Sequence, residues 1–242
     1  MKYPDRFLAA LGAWQNGWQE DRTRRLRITE ELQAAIGELP SPLPTRSDPP
    51  LCYRKRFLKP RNPENDTEMT DLVLNGQIHD GVASWSTDSN FWRLFKNALR
   101  DGYITAVFAY QPAAQDIIVD IPFLWEDPDF VAAVKAYRMN GGNHALALER
   151  FRDTQAELVL NVPLMRDEIC GFAGPVGTYD QLFETAGATT EEAQDSIWEK
   201  LTAEGIFPGQ ARFLSAEQAQ NVLQRTQDRM WALIERTFGP EI

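Results

Sequence analysis

Three short stretches of the chain hold side chains whose types and spacing could do chemistry. The first is LCYRKRFL, residues 51–58, a strand-like run. Alternation along a strand puts Leu51, Tyr53, Lys55 and Phe57 on one side and Cys52, Arg54 and Arg56 on the other. An arginine inside such a run needs an anion or water, and its planar guanidinium fork suits a phosphate. The competing role for Arg54 is a charge that guards an edge strand against aggregation. The second stretch is GVASWSTD, residues 81–88, where Ser84, Ser86 and Thr87 crowd a strand end. Small hydroxyls there can brace a backbone or a carboxylate, or simply cap the next helix. The third is RDTQAELVLNVPL, residues 152–164, in which Gln155 and Glu157 point to the same side as a polar loop enters an apolar strand. A strand made to be buried opens on a carboxylate.

Other chemistries lack their signatures. There is no dinucleotide or Walker glycine loop, no HExxH and no GxSxG. The two histidines, His79 and His144, have no supporting metal-ligand spacing, so no metal is expected. Cys52 and Cys170 show neither metal nor disulfide-framework spacing and are read as small buried apolar residues. With 25 Lys plus Arg against 35 Asp plus Glu, the net charge is −10, which argues against broad binding to nucleic acids or anionic membranes. No run reaches transmembrane length and the N-terminus shows no sustained apolar stretch, so a cytoplasmic protein that does not engage membranes is expected.

The order of the three pieces resembles the Arg-Ser-Glu class of mono-ADP-ribosyltransferases. That family places an arginine on its first core strand, an S-T-S type motif on a middle strand, and E-x-E or Q-x-E before a late strand. The matching pieces are Arg54 in CYRKR, Ser84 and Ser86 in ASWS, and QAE with Gln155 and Glu157. Trp85 stands where the family has its threonine. The resemblance covers roughly residues 51–165 and implies an α+β fold in which two small antiparallel sheets form an NAD cleft, flanked by N- and C-terminal helices. It implies NAD as the substrate, no metal, and transfer of ADP-ribose to a protein or nucleic-acid acceptor with release of nicotinamide. By the same resemblance Arg54 would hold NAD, Ser84 would orient the catalytic carboxylate, and Glu157 would bind the ribose 2′-hydroxyl and stabilise the cation formed as nicotinamide leaves. Gln155 would face the acceptor. Ser86 and Trp85 join the cofactor-binding set, Trp85 by stacking on a ring, with Phe91 and Trp92 as further stacking candidates. A glycosidic bond that breaks through a cationic transition state does need a fixed carboxylate where the charge develops. A toxin delivered to another cell would suit the same reading. Three alternatives stand beside it: an inactive relative acting as an acidic binding or immunity-type protein, a hydrolase pairing Glu157 with Asp120 or Asp153, and a structural ion pair between Arg54 and Glu157.

The elements that must position these residues are read from periodicity. Residues 5–37 read as helical, with Leu8, Leu11 and Trp14 at helical spacing, and a proline-rich connector occupies 39–50. Strands are expected at 51–58, 83–88, 103–111, 116–122 and from Ala156, and helices at 89–102, 127–140, 189–205 and 215–239. Ser215 with Gln218 forms a capping-box signal for the last helix. Several strands succeed one another without an intervening helix, which favours α+β over a doubly wound parallel fold. The expected organisation is a helical segment and linker at 1–50, a transferase-like core at 51–177, and a helical extension at 178–242 packed on that core.

Overall fold

A helix with one apolar stripe must bury it, and the first helix does so completely. Asp5–Gln15 (α1) starts after Pro4, whose carbonyl accepts from the amides of Phe7 and Leu8. Its Phe7, Leu8 and Leu11 are fully buried. Gly12 lets α1 approach closely: a Cβ there would lie 2.8 Å from the His144 carbonyl oxygen. Arg22–Gly37 (α2) packs on α1 through Ile28, Leu32 and Ala35.

The computed structural model describes residues 2–17, 22–59, 67–90, 102–150, 152, 156–174, 179–203 and 213–239. The expected helix after residue 88 therefore lies almost wholly outside the described residues, as do Phe91, Trp92, Asp153 and Gln155. Among the described residues the strands are Cys52–Leu58 (β1), Gln77–Ile78 (β2), Val82–Ser86 (β3), Ile104–Tyr110 (β4), Ile117–Asp120 (β5), Glu157–Asn161 (β6), Leu164–Met165 (β7) and Ile169–Ala173 (β8). The remaining helices are Glu68–Leu74 (α3), Ile121–Leu124 (α4), Pro128–Met139 (α5), Ala145–Arg150 (α6), Tyr179–Ala186 (α7), Glu191–Ala203 (α8) and Ala216–Phe238 (α9). The class is α+β, as the run of strands implied. The sheets are not two of similar small size. One mostly antiparallel sheet has six strands in the order β5-β6-β3-β1-β4-β8, and β2 and β7 form a separate pair.

The chain clusters into two compact units that interleave in sequence: residues 1–53, 80–91 and 110–162, and residues 54–79, 92–109 and 163–242. The segment before residue 51 is thus part of the first unit's core. That core joins α1, α2, α4, α5 and α6 to Val82, Val119 and Val159 on β3, β5 and β6. In the second unit β4 pairs antiparallel with β8, and Leu72 and Val73 of α3 are buried. The α9 helix packs on β8 and α3. Arg166 anchors it, donating to the Val73 carbonyl (3.2 Å) and to Gln227 (2.9 Å), while Gln220 donates to the Arg166 carbonyl (2.5 Å). The Ser215–Gln218 capping box is formed. Docking uses the buried Ala219 and Leu223; Val222, Leu233 and Phe238 are exposed.

Candidate active site

Register decides which side chains meet. β3 and β6 pair over five residues, with Ser86 opposite Glu157 and Ser84 opposite Val159. Directly paired residues share a face, and so do residues two apart on one strand. Ser84, Ser86 and Glu157 therefore share the face that carries Val82 and Val159, the face covered by α1. Glu157 is only 4% exposed. The Ser84 hydroxyl donates a hydrogen bond to its Oε1, and the Trp14 indole donates to the same oxygen at 2.7 Å. A buried carboxylate is tolerated when donors satisfy it, and this one has a hydroxyl and an indole N–H from two separate elements.

The backbone around Glu157 is fixed as firmly as its side chain. Ala156, immediately before it, has φ +42, a conformation that costs an L-residue strain. It is held there from just beyond β3: Thr87 donates to the Ala156 carbonyl through its amide (3.0 Å) and its hydroxyl (3.2 Å). Ser86 Oγ accepts from the Asp88 amide at 3.1 Å and so helps turn the chain at the end of β3. The hydroxyls of GVASWSTD divide their work: Ser84 braces the carboxylate, Thr87 the strand entry, and Ser86 the turn after β3.

Of the residues singled out by sequence, Ser84 and Glu157 are in contact and Ser86 sits beside them. Trp85 points to the opposite face, is 1% exposed, and its ring packs at 5.8 Å from that of Tyr110. Arg54 is half-buried on β1; its neighbour Tyr53 pairs with Ser86, so Arg54 itself lies on the face away from Ser86 and Glu157. Arg56, two residues on, forms an ion pair with Glu68 of α3 at 2.5 Å. Asp120 pairs with Leu158 and so lies on the face away from Glu157. Its Oδ1 accepts from the Phe123 amide at 3.0 Å and caps α4, which removes it as an acid–base partner for Glu157. Burial pushes the Asp120 carboxyl above the usual carboxylate range, against the Phe123 amide and Arg46, which pull it down. Both cysteines are free thiols. Among the described residues no three His, Cys, Asp or Glu side chains gather around a possible metal position, and no helix is long and apolar enough to cross a membrane.

The residue that sequence reasoning missed is Trp14. Its place in the Leu8–Leu11–Trp14 spacing reads as core, and it is core, being 2% exposed. Its indole N–H lands on a residue 143 positions away, which periodicity does not reveal. The chain matches no protein-family model, no curated protein and no solved structure.

Proposed function

We propose that the chain is a mono-ADP-ribosyltransferase that moves ADP-ribose from NAD to a macromolecular acceptor and releases nicotinamide. The observation that carries this reading is the hydrogen bond from Ser84 to the buried Glu157 carboxylate at the paired ends of β3 and β6. It is the serine–glutamate partnership that the sequence resemblance requires. In this account the bond between ribose C1′ and nicotinamide breaks, and nicotinamide leaves with the bonding pair. Positive charge develops at C1′ and the Glu157 carboxylate offsets it, also accepting a hydrogen bond from the ribose 2′-hydroxyl. A nucleophile of the acceptor then bonds to C1′ and gives up its proton to water. Fixing the carboxylate beforehand spares its reorganisation during the reaction. Gln155 is assigned to the acceptor by the resemblance; the resemblance also gives Arg54 the NAD phosphates, but Tyr53 pairs with Ser86, so Arg54 lies on the face away from Glu157 and has no role here. Trp85 has no role here, because its ring faces away from Glu157.

One observation favours a second reading. Glu157 is nearly inaccessible and already satisfied by Trp14 and Ser84, the state of a structural core carboxylate. A chain of this kind would keep the fold as an acidic binding or immunity-type protein without turnover. Incubation with NAD labelled on the adenylate phosphate separates the two. The transferase reading predicts label on a lysate component, and loss of that label in Glu157→Gln. NAD binding without transfer or hydrolysis would favour the second reading, and no binding at all would overturn the first.

A further inference from the structure

We infer that Trp14 is a positioning residue of the candidate active site, its indole N–H holding the Glu157 carboxylate together with the Ser84 hydroxyl. The inference rests on the proposed role of Glu157 in cleaving NAD. It starts from an asymmetry between the two donors. A serine hydroxyl both donates and accepts and turns about its Cβ–Oγ bond, so it directs its partner only loosely. An indole N–H is donor-only and rigid. Held at 2.7 Å from Oε1, it requires an acceptor oxygen there and so favours one rotation of the carboxylate.

The position of the indole is itself overdetermined. Phe7, Leu8 and Leu11 on the same helix are fully buried, and Gly12 brings the helix against the His144 backbone. From the other side the strand entry is pinned at Ala156 by Thr87. The carboxylate is thus gripped between a core helix and a strand pair, all within one compact unit. A catalytic group held in this way needs little reorganisation when charge develops.

The test is Trp14→Phe, which keeps an aromatic ring and removes the donor. Loss of a hydrogen bond to a charged group predicts a fall in kcat of about ten- to a hundredfold, with KM for NAD within about twofold of wild type. A purely structural role predicts active sites of unchanged kcat in a less heat-resistant protein. The second readout is independent of turnover. In ¹⁵N-labelled protein the Trp14 indole N–H resonance is expected to shift in Glu157→Gln, and to be the resonance missing from Trp14→Phe. If Trp14→Phe does not fold, the indole resonance, assigned from backbone connectivities, still tests the bond that the inference needs, and its indifference to Glu157→Gln overturns the inference. An active wild type with an unaltered kcat in Trp14→Phe, or an indole resonance indifferent to Glu157→Gln, overturns this inference alone. A wild type that does not cleave NAD overturns the reading beneath it.

Discussion

At the scale of single residues, the account turns on a carboxylate and the groups that hold it. Ser84 is the donor that can be removed most cleanly, since Ser84→Ala deletes one oxygen and leaves the β3–β6 ladder unchanged. Deleting one hydrogen bond to a charged group predicts a kcat loss of about ten- to a hundredfold with a far-UV spectrum like that of wild type. Steady-state nicotinamide release checks it, and wild-type turnover in Ser84→Ala would remove serine from the mechanism. The shared side of Ser84 and Ser86 was legible in the sequence, because strand alternation alone puts them together. The same alternation put Trp85 on the other side; only the family resemblance drew it into the cofactor set, and the buried packing against Tyr110 shows what alternation already implied. Trp14 was not legible, because a donor from a helix 143 residues distant is set by tertiary packing and leaves no local mark.

At the scale of elements, the entry to β6 is the feature with the clearest consequence. Ala156 holds φ +42, which glycine adopts at no steric cost, alanine under strain and a β-branched residue only at high cost. Ala156→Val is therefore expected to destabilise by about 2 kcal/mol and to lower turnover by moving Glu157, while Ala156→Gly stays within about 1 kcal/mol of wild type. Urea unfolding of the two variants checks the contrast, and equal stabilities would show that Thr87 does not constrain this position. The elements that the sequence disclosed are those with long periodic patterns or explicit caps. The α1, α2 and α5 helices and the Ser215 cap of α9 are examples. The α3 helix was hidden in a polar stretch, because seven residues with two buried side chains make no readable period. The short β8, with Gly171 in its middle, was hidden because its pairing with β4 rather than its own composition makes it a strand. In α9 the docking contact is made by Ala219 and Leu223, the buried pair one turn apart on the face toward β8 and α3.

At the scale of the whole molecule, stability and activity are expected to depend on different carboxylates. Asp120 is fully buried, and burial raises its pKa. An acid whose folded pKa lies above its unfolded value binds more protons when folded. It therefore withdraws stability as pH climbs from the unfolded carboxyl range, near about 4, through its own raised pKa. Asp120→Asn keeps the oxygen that caps α4 and removes the buried charge. It is expected to raise the thermal midpoint at pH 7 and to leave it close to wild type at pH 3. A lower midpoint at pH 7 would mean that attraction to Arg46, 3.9 Å away, outweighs the burial. Turnover in that variant should be unchanged, because Asp120 faces away from Glu157. The central claim is that Glu157 is a working carboxylate, and nicotinamide release from NAD by purified wild-type protein beside Glu157→Gln tests it most directly. The substitution retains shape and an acceptor oxygen for Trp14 and Ser84 while removing the charge. The account predicts release by wild type and a loss of about a hundredfold or more in the variant, with both proteins equally folded. No release by wild type, or equal release by the two, would contradict it.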